Sequence, residues 1–126
     1  MTVMEYLQKQ QDLRTSAIDK LISLLDGESI PFETITSKWG RDIPARPCVY
    51  FVKDKHGKSI YIGASAYGPR QRIRQHITQK SDLGKWLKCP ASEKSTVTIW
   101  YFATRQDALL AESEKISLYA PELNRR

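Results

Sequence analysis

A chain of 126 residues is long enough for one domain with a modest core and leaves little room for a second. Its 40% hydrophobic content is broken up by polar residues, so no stretch approaches the roughly 20 apolar residues of a membrane helix, and the N-terminus has no apolar run flanked by basic residues of the secretory kind. The net charge of +6 is uneven: residues 1–37 hold three Lys/Arg against six Asp/Glu, residues 38–94 hold thirteen against four, and residues 95–126 hold four of each.

The electropositive middle favours a polyanionic partner, of which nucleic acid is the commonest. Two cysteines, Cys48 and Cys89, and two histidines, His56 and His76, are not spaced as zinc ligands. Free thiols in a reduced, cytoplasmic protein with no membrane partner are the expectation.

In chain order, residues 3–26 read as a helix. Leu7, Ile18, Leu21, Ile22 and Leu25 give the three-and-four spacing of one apolar face, and Gly27 follows Asp26 as a C-cap. Pro31, Gly40, Pro44 and Pro47 interrupt the segment that follows. Residues 48–54, CVYFVKD, are β-branched and aromatic and predict a strand; Lys55, His56 and Gly57 supply a turn; residues 58–64, KSIYIGA, predict the returning strand of an antiparallel hairpin. A helix is expected over 69–79 with Pro69 in its first turn, a short one over 82–88 ended by Pro90, a third strand over 96–103, and a last helix over 105–119. The expected fold is α+β: a small three-stranded antiparallel sheet flanked by helices, with an N-terminal helical extension. Residues 1–43 form that helix and its connection, and residues 44–126 the domain.

At 100° per residue, Ala108, Leu109, Ile116 and Tyr119 share one stripe of the last helix, and Glu112 falls in its middle, while Glu114 lies nearly opposite. An inward carboxylate is costly to desolvate unless an arginine, a hydrogen-bond network or a metal ion compensates it. On the helix after Pro69, Arg72 and His76 are four apart and share a face, with Arg70 and Arg74 on another side and Ile73 and Ile77 directed to the core. Arginine grips two phosphate oxygens, and histidine moves a proton near neutral pH. The hairpin contributes Tyr50 and Tyr61, one per strand, and Gly63 ends the second strand, where a backbone or ligand can approach closely.

Together these features resemble the GIY-YIG nuclease family. Cys48-Val49-Tyr50 stands for the first triplet, Tyr61-Ile62-Gly63 for the second, and ten residues separate them. Arg72 with His76 four residues on, Glu112 within DALLAES, and Asn124 within APELN follow in order, so the resemblance covers residues 44–126. Cys48 replaces the usual glycine, and the loop from Gly63 to Arg72 is one residue longer than in many relatives, so Arg70 competes for the arginine role; residues 1–43 match nothing in the family.

The resemblance implies a metal-dependent DNA endonuclease. In it Glu112 holds one divalent ion, Mg²⁺ or Mn²⁺, and Arg72 stabilises charge on the phosphate. Tyr50 is the general base, Tyr61 orients water or phosphate, His76 relays a proton and Asn124 positions the site. A tyrosine base needs its proton affinity lowered by nearby cationic charge, or a relay through His76. Arg70, Arg74, Lys80 and Lys85 are the expected DNA contacts outside the chemistry. Two alternatives stay open: a nucleic-acid-binding module without cleavage, and an interaction domain acting through the N-terminal helix, including as a homodimer.

Overall fold

The computed structural model describes residues 2–79 and 81–124, with the backbone alone for residues 10–16 and 39. The first helix, α1 (Val3–Leu25), starts where the Thr2 hydroxyl accepts the Glu5 N–H at 3.1 Å. It ends at Asp26, and Gly27 turns the chain at a φ of +76°, a left-handed conformation that glycine adopts without strain. Val3, Met4, Tyr6 and Leu7 are exposed, whereas Ile18, Leu21, Ile22 and Leu25 are half-buried. The helix is therefore anchored by its C-terminal turns, which are tied to the sheet where Gly27 N–H donates to the Ile99 carbonyl and Asp26 Oδ1 accepts from Tyr101 N–H, both at 2.7 Å.

Four antiparallel strands follow, β1 (Ser29–Pro31), β2 (Cys48–Lys53), β3 (Ser59–Ser65) and β4 (Thr96–Tyr101), in the spatial order β1-β4-β2-β3. The sheet thus has one strand more than the sequence pattern predicts. The extra strand, β1, is three residues long and ends in proline, too short to show an alternation; it exists because the edge of β4 offers Thr96, Val97 and Thr98 as partners. Helices α2 (Phe32–Thr36), α3 (Pro69–Thr78), α4 (Asp82–Leu87) and α5 (Arg105–Tyr119) complete the α+β architecture, with short 3₁₀ turns at Lys38–Asp42, Pro90–Ser92 and Glu122–Asn124. No helix among the described residues is long and apolar enough to cross a membrane.

Both faces of the sheet are covered, which explains the unbroken apolar run of β2. Cys48, Tyr50 and Val52 point to one face and join Ile35, Ile73, Leu83, Val97 and Ile99 beneath α2, α3 and α4. Val49 and Phe51 point to the other and join Ile62 and Ala108 beneath α5. Cys48 is buried and Cys89 exposed, both as free thiols, and burial pushes the Cys48 thiol up to about 12. The outer edge of β3 is left open by the sheet order, and α3 and α5 reach that edge from opposite faces.

Candidate active site

Tyr50 sits in the centre of β2, opposite Gly63 of β3. Its ring lies across the neighbouring strand: a Cβ on Gly63 would collide with the Tyr50 hydroxyl. Glycine at the end of the second triplet is therefore a packing requirement of the first triplet's tyrosine. The hydroxyl meets His76 Nε2 at 3.1 Å, and the ring of Tyr61 stands 5.2 Å from that of His76 and 6.1 Å from that of Tyr50.

Ser81, the N-cap of α4, fixes the far side of the imidazole. Its Oγ lies 2.8 Å from His76 Nδ1 and 3.3 Å from the His76 carbonyl oxygen, and it accepts the Gly84 N–H at 3.1 Å. One assignment satisfies every group. Nδ1–H donates to Ser81, the serine proton goes to the His76 carbonyl, and Nε2 is left to accept the Tyr50 O–H. Desolvation, with the Arg72 charge second, holds the His76 pKa below the usual histidine value and keeps the ring neutral. Ser81 escapes a reading of the sequence aimed at acids, bases and cations; its one signal is the capping position before Asp82.

Burial pushes the Tyr50 phenol well above the ordinary tyrosine range, reinforced by the neighbouring Tyr61; Arg72 pulls the other way, and less strongly. Tyr50 is also 0% exposed. Of the two routes by which this tyrosine was expected to act, lowering by cationic charge is outweighed by desolvation, while the geometry for a relay through His76 is present.

Arg72 and Glu112 meet at an open polar groove of about 590 Å³ along the edge of β3, lined also by Ala64, Ser65, Gln75 and Arg105. Glu112 is half-buried and accepts the Ala64 N–H; desolvation raises its carboxyl pKa despite that bond and despite Arg72. Arg72 Nη1 donates to Gln75 Oε1 at 3.0 Å, which holds the guanidinium on the groove side of α3. Its charge bears on Tyr50, His76 and Glu112 alike. Arg105, two helical turns before Glu112, adds a second cation that sequence reasoning missed; the seven-residue spacing was its available signal.

Other expected positions are distributed differently. Arg70 is turned away from this groove and donates to the Ser37 carbonyl at 3.2 Å. Asn124 clamps the main chain of Ile62, its Oδ1 accepting Ile62 N–H at 2.8 Å and its Nδ2 donating to Ile62 C=O at 2.9 Å, one residue before Gly63. The apolar stripe expected on α5 is rotated: Leu109 and Tyr119 are 43% and 44% exposed, while Ala108 is buried and Ala111 and Ile116 are half-buried, because the helix lies over Phe51 and Trp100 at an angle a helical wheel does not fix. Arg74 and Lys85 are exposed on α3 and α4, and Lys80 lies outside the described residues.

One carboxylate in a polar groove suits a hard divalent cation. Such ions are commonly held by one or two carboxylates with water completing the shell. Among the described residues no three His, Cys, Asp or Glu side chains converge, so the groove has no multi-ligand site for a softer metal.

The fold and groove define an α+β domain that brings an acidic side chain and two arginines to the open edge of a small sheet, with the tyrosine–histidine pair buried behind it and outside the groove lining. The family model of the GIY-YIG catalytic domain matches residues 46–125, and the chain belongs to that family. Curated relatives include UvrABC system protein C of Cyanothece sp., 30% identical over 84 residues, 67% of this chain and 13% of that protein. The same protein of Zymomonas mobilis is 33% identical over 84 residues, 67% of this chain and 12% of that protein. The chain thus spans a small fraction of the length of the curated relatives it matches. Among solved structures, the GIY-YIG N-terminal endonuclease domain of UvrC from Thermotoga maritima, bound to its catalytic divalent cation magnesium, superimposes with a TM-score of 0.55. It is 22% identical, and the match covers 71% of this chain and 99% of that one. A point-mutant form of that domain bound to its catalytic divalent cation matches equally well at 21% identity.

Proposed function

We propose that this chain is a divalent-metal-dependent endonuclease acting on DNA. The observation that carries the reading is the facing of Glu112 and Arg72 across one polar groove, with a desolvated carboxyl left to be neutralised. Mg²⁺ or Mn²⁺ held by Glu112 would supply Lewis-acid stabilisation of the departing oxygen. Arg72, with Arg105 beside it, holds the non-bridging phosphate oxygens as charge grows. Tyr50 and His76 act as one proton-accepting pair: as Tyr50 takes the proton of the attacking water, its own passes to His76 Nε2. Ser81 positions His76 by keeping Nδ1 protonated. Tyr61 orients the water or phosphate, and Asn124 holds β3 beneath them. The positive charge of Arg70, Arg74, Lys80 and Lys85 supplies affinity for the strand outside the chemistry.

A second reading of the base is favoured by the burial of Tyr50. Tyr61, half-buried beside the same imidazole, would then face the water.

Single-turnover cleavage of supercoiled and linear DNA tests both readings. Cleavage should require Mg²⁺ or Mn²⁺, stop in EDTA and stop in Glu112→Gln while DNA binding persists. Arg72→Ala should lower the rate by about 10²–10³-fold with a smaller loss of binding. Tyr50→Phe should lower it by about 10²–10⁴-fold, with Tyr61→Phe costing less; the reverse order transfers the base role to Tyr61. Full activity of Glu112→Gln, or cleavage in EDTA, would overturn the metal assignment.

A further inference from the structure

A second cavity lies on the opposite flank of α3 from the groove. It encloses about 470 Å³, its walls are the apolar side chains of Ile43, Ala45 and Pro69, and Arg41, Arg70 and Arg74 stand around it. Tyr67, Gln71 and Gln75 line both this cavity and the groove that holds Arg72 and Glu112, so the two are separated by a single ridge along α3. The Tyr67 ring crowns the ridge and is 69% exposed.

The loop that presents Tyr67 is pinned. Tyr67 N–H donates to Ser65 Oγ at 3.2 Å, and Gly68 has a φ of +91° and leaves no room for a side chain against Ala45. Arg70 is pinned too, by its bond to Ser37 and by Gly40, whose missing side chain lets the guanidinium approach.

An open, mostly apolar cavity flanked by three arginines and lipped by an exposed tyrosine matches one kind of ligand in its chemistry. A nucleobase presents two apolar faces to stack on an aromatic ring and is joined to a phosphate that needs a guanidinium. A base still paired in a duplex cannot enter such a cavity, because its faces are covered by its neighbours. Resting on the nuclease reading above, we infer that this cavity is a subsite for an unpaired nucleobase next to the phosphate in the Arg72–Glu112 groove, with the base stacked on Tyr67. The favoured substrate is then DNA carrying an unpaired or extruded nucleotide beside the cut, and the strand crosses the ridge between the two cavities.

The test is equilibrium binding without divalent cation, in about 0.1 M salt, to three labelled duplexes. One is fully paired, one carries a single-nucleotide bulge, and one carries the same bulge without its base. Wild-type protein should bind the bulged duplex about tenfold more tightly than either other. Tyr67→Ala should remove that preference, weakening the bulged duplex about tenfold more than the paired one, and Tyr67→Trp should retain it. Arg74→Ala should weaken all three. Equal binding of the three duplexes by wild-type protein, or a uniform loss in Tyr67→Ala, would overturn the subsite. Cleavage of the same duplexes in Mg²⁺ separates the two proposals: selective binding without any cleavage counts against the nuclease reading and leaves the subsite standing.

Discussion

Glu112 is the residue on which the physics is most direct. Its carboxyl is raised above the ordinary Glu value of about 4.3 because burial outweighs both the Ala64 N–H and the Arg72 charge. A carboxyl of this kind favours the folded state while it is protonated. That contribution is fully present below the unfolded-state pKa and is lost as pH rises through the raised folded value. At neutral pH the ionised side chain therefore destabilises the fold, and Glu112→Gln should raise the melting temperature at pH 7 and not at pH 4. A bound divalent cation reverses the sign, so Mg²⁺ should raise the melting temperature of the wild type at pH 7 and leave Glu112→Gln unmoved. Thermal melts of both proteins, with and without Mg²⁺, check this; an identical Mg²⁺ shift in the two would place the ion elsewhere.

At the scale of elements, the site is built by closing the exposed edge of β3. The Asn124 amide satisfies both main-chain groups of Ile62, and Glu112 takes the N–H of Ala64 two residues on. An edge strand with open N–H and C=O groups invites disorder or pairing with another chain; here the two caps hold Gly63 in place beneath the Tyr50 hydroxyl. Asn124→Ala should cost about 1–3 kcal/mol in urea unfolding, the price of leaving half-buried backbone groups unpaired. It should also speed amide exchange at Ile62 and lower cleavage through the displaced strand. Unchanged exchange at Ile62 in that variant would remove the clamp from the account.

For the whole molecule, the question is how much of the N-terminal region the domain needs. Residues 3–9 of α1 are exposed, and removal of residues 1–9 should leave cooperative unfolding in place. Deletion of residues 1–43 removes β1, the Asp26 tie to β4 and Ile35, which is 0% exposed. Loss of a buried Ile side chain alone costs about 2–5 kcal/mol, a large share of the roughly 5–15 kcal/mol that holds a domain together. The longer deletion should therefore lose its cooperative transition in denaturant, and a sharp transition in it would show that residues 44–126 fold alone.

The sequence by itself determined the elements whose patterns are long or chemically loaded. The hairpin with its two tyrosines, the α3 pair Arg72 and His76, and Glu112 on α5 could be placed on their elements and assigned to a family by spacing, because strand and helix periods relate residues within one element. What required the tertiary structure were relations between elements. The strand β1 exists only through its pairing with β4, and the tilt of α5 decides that Leu109 stays exposed and Tyr119 only leans its edge on Phe51, while Ala111 turns inward. The fold also separates Arg70 from Arg72, although both lie on one short helix, by giving one the Ser37 carbonyl and the other the groove. It is burial, a property of the assembled core, that raises the Tyr50 phenol and leaves His76 as its hydrogen-bond acceptor; no local pattern encodes the dielectric a side chain will meet.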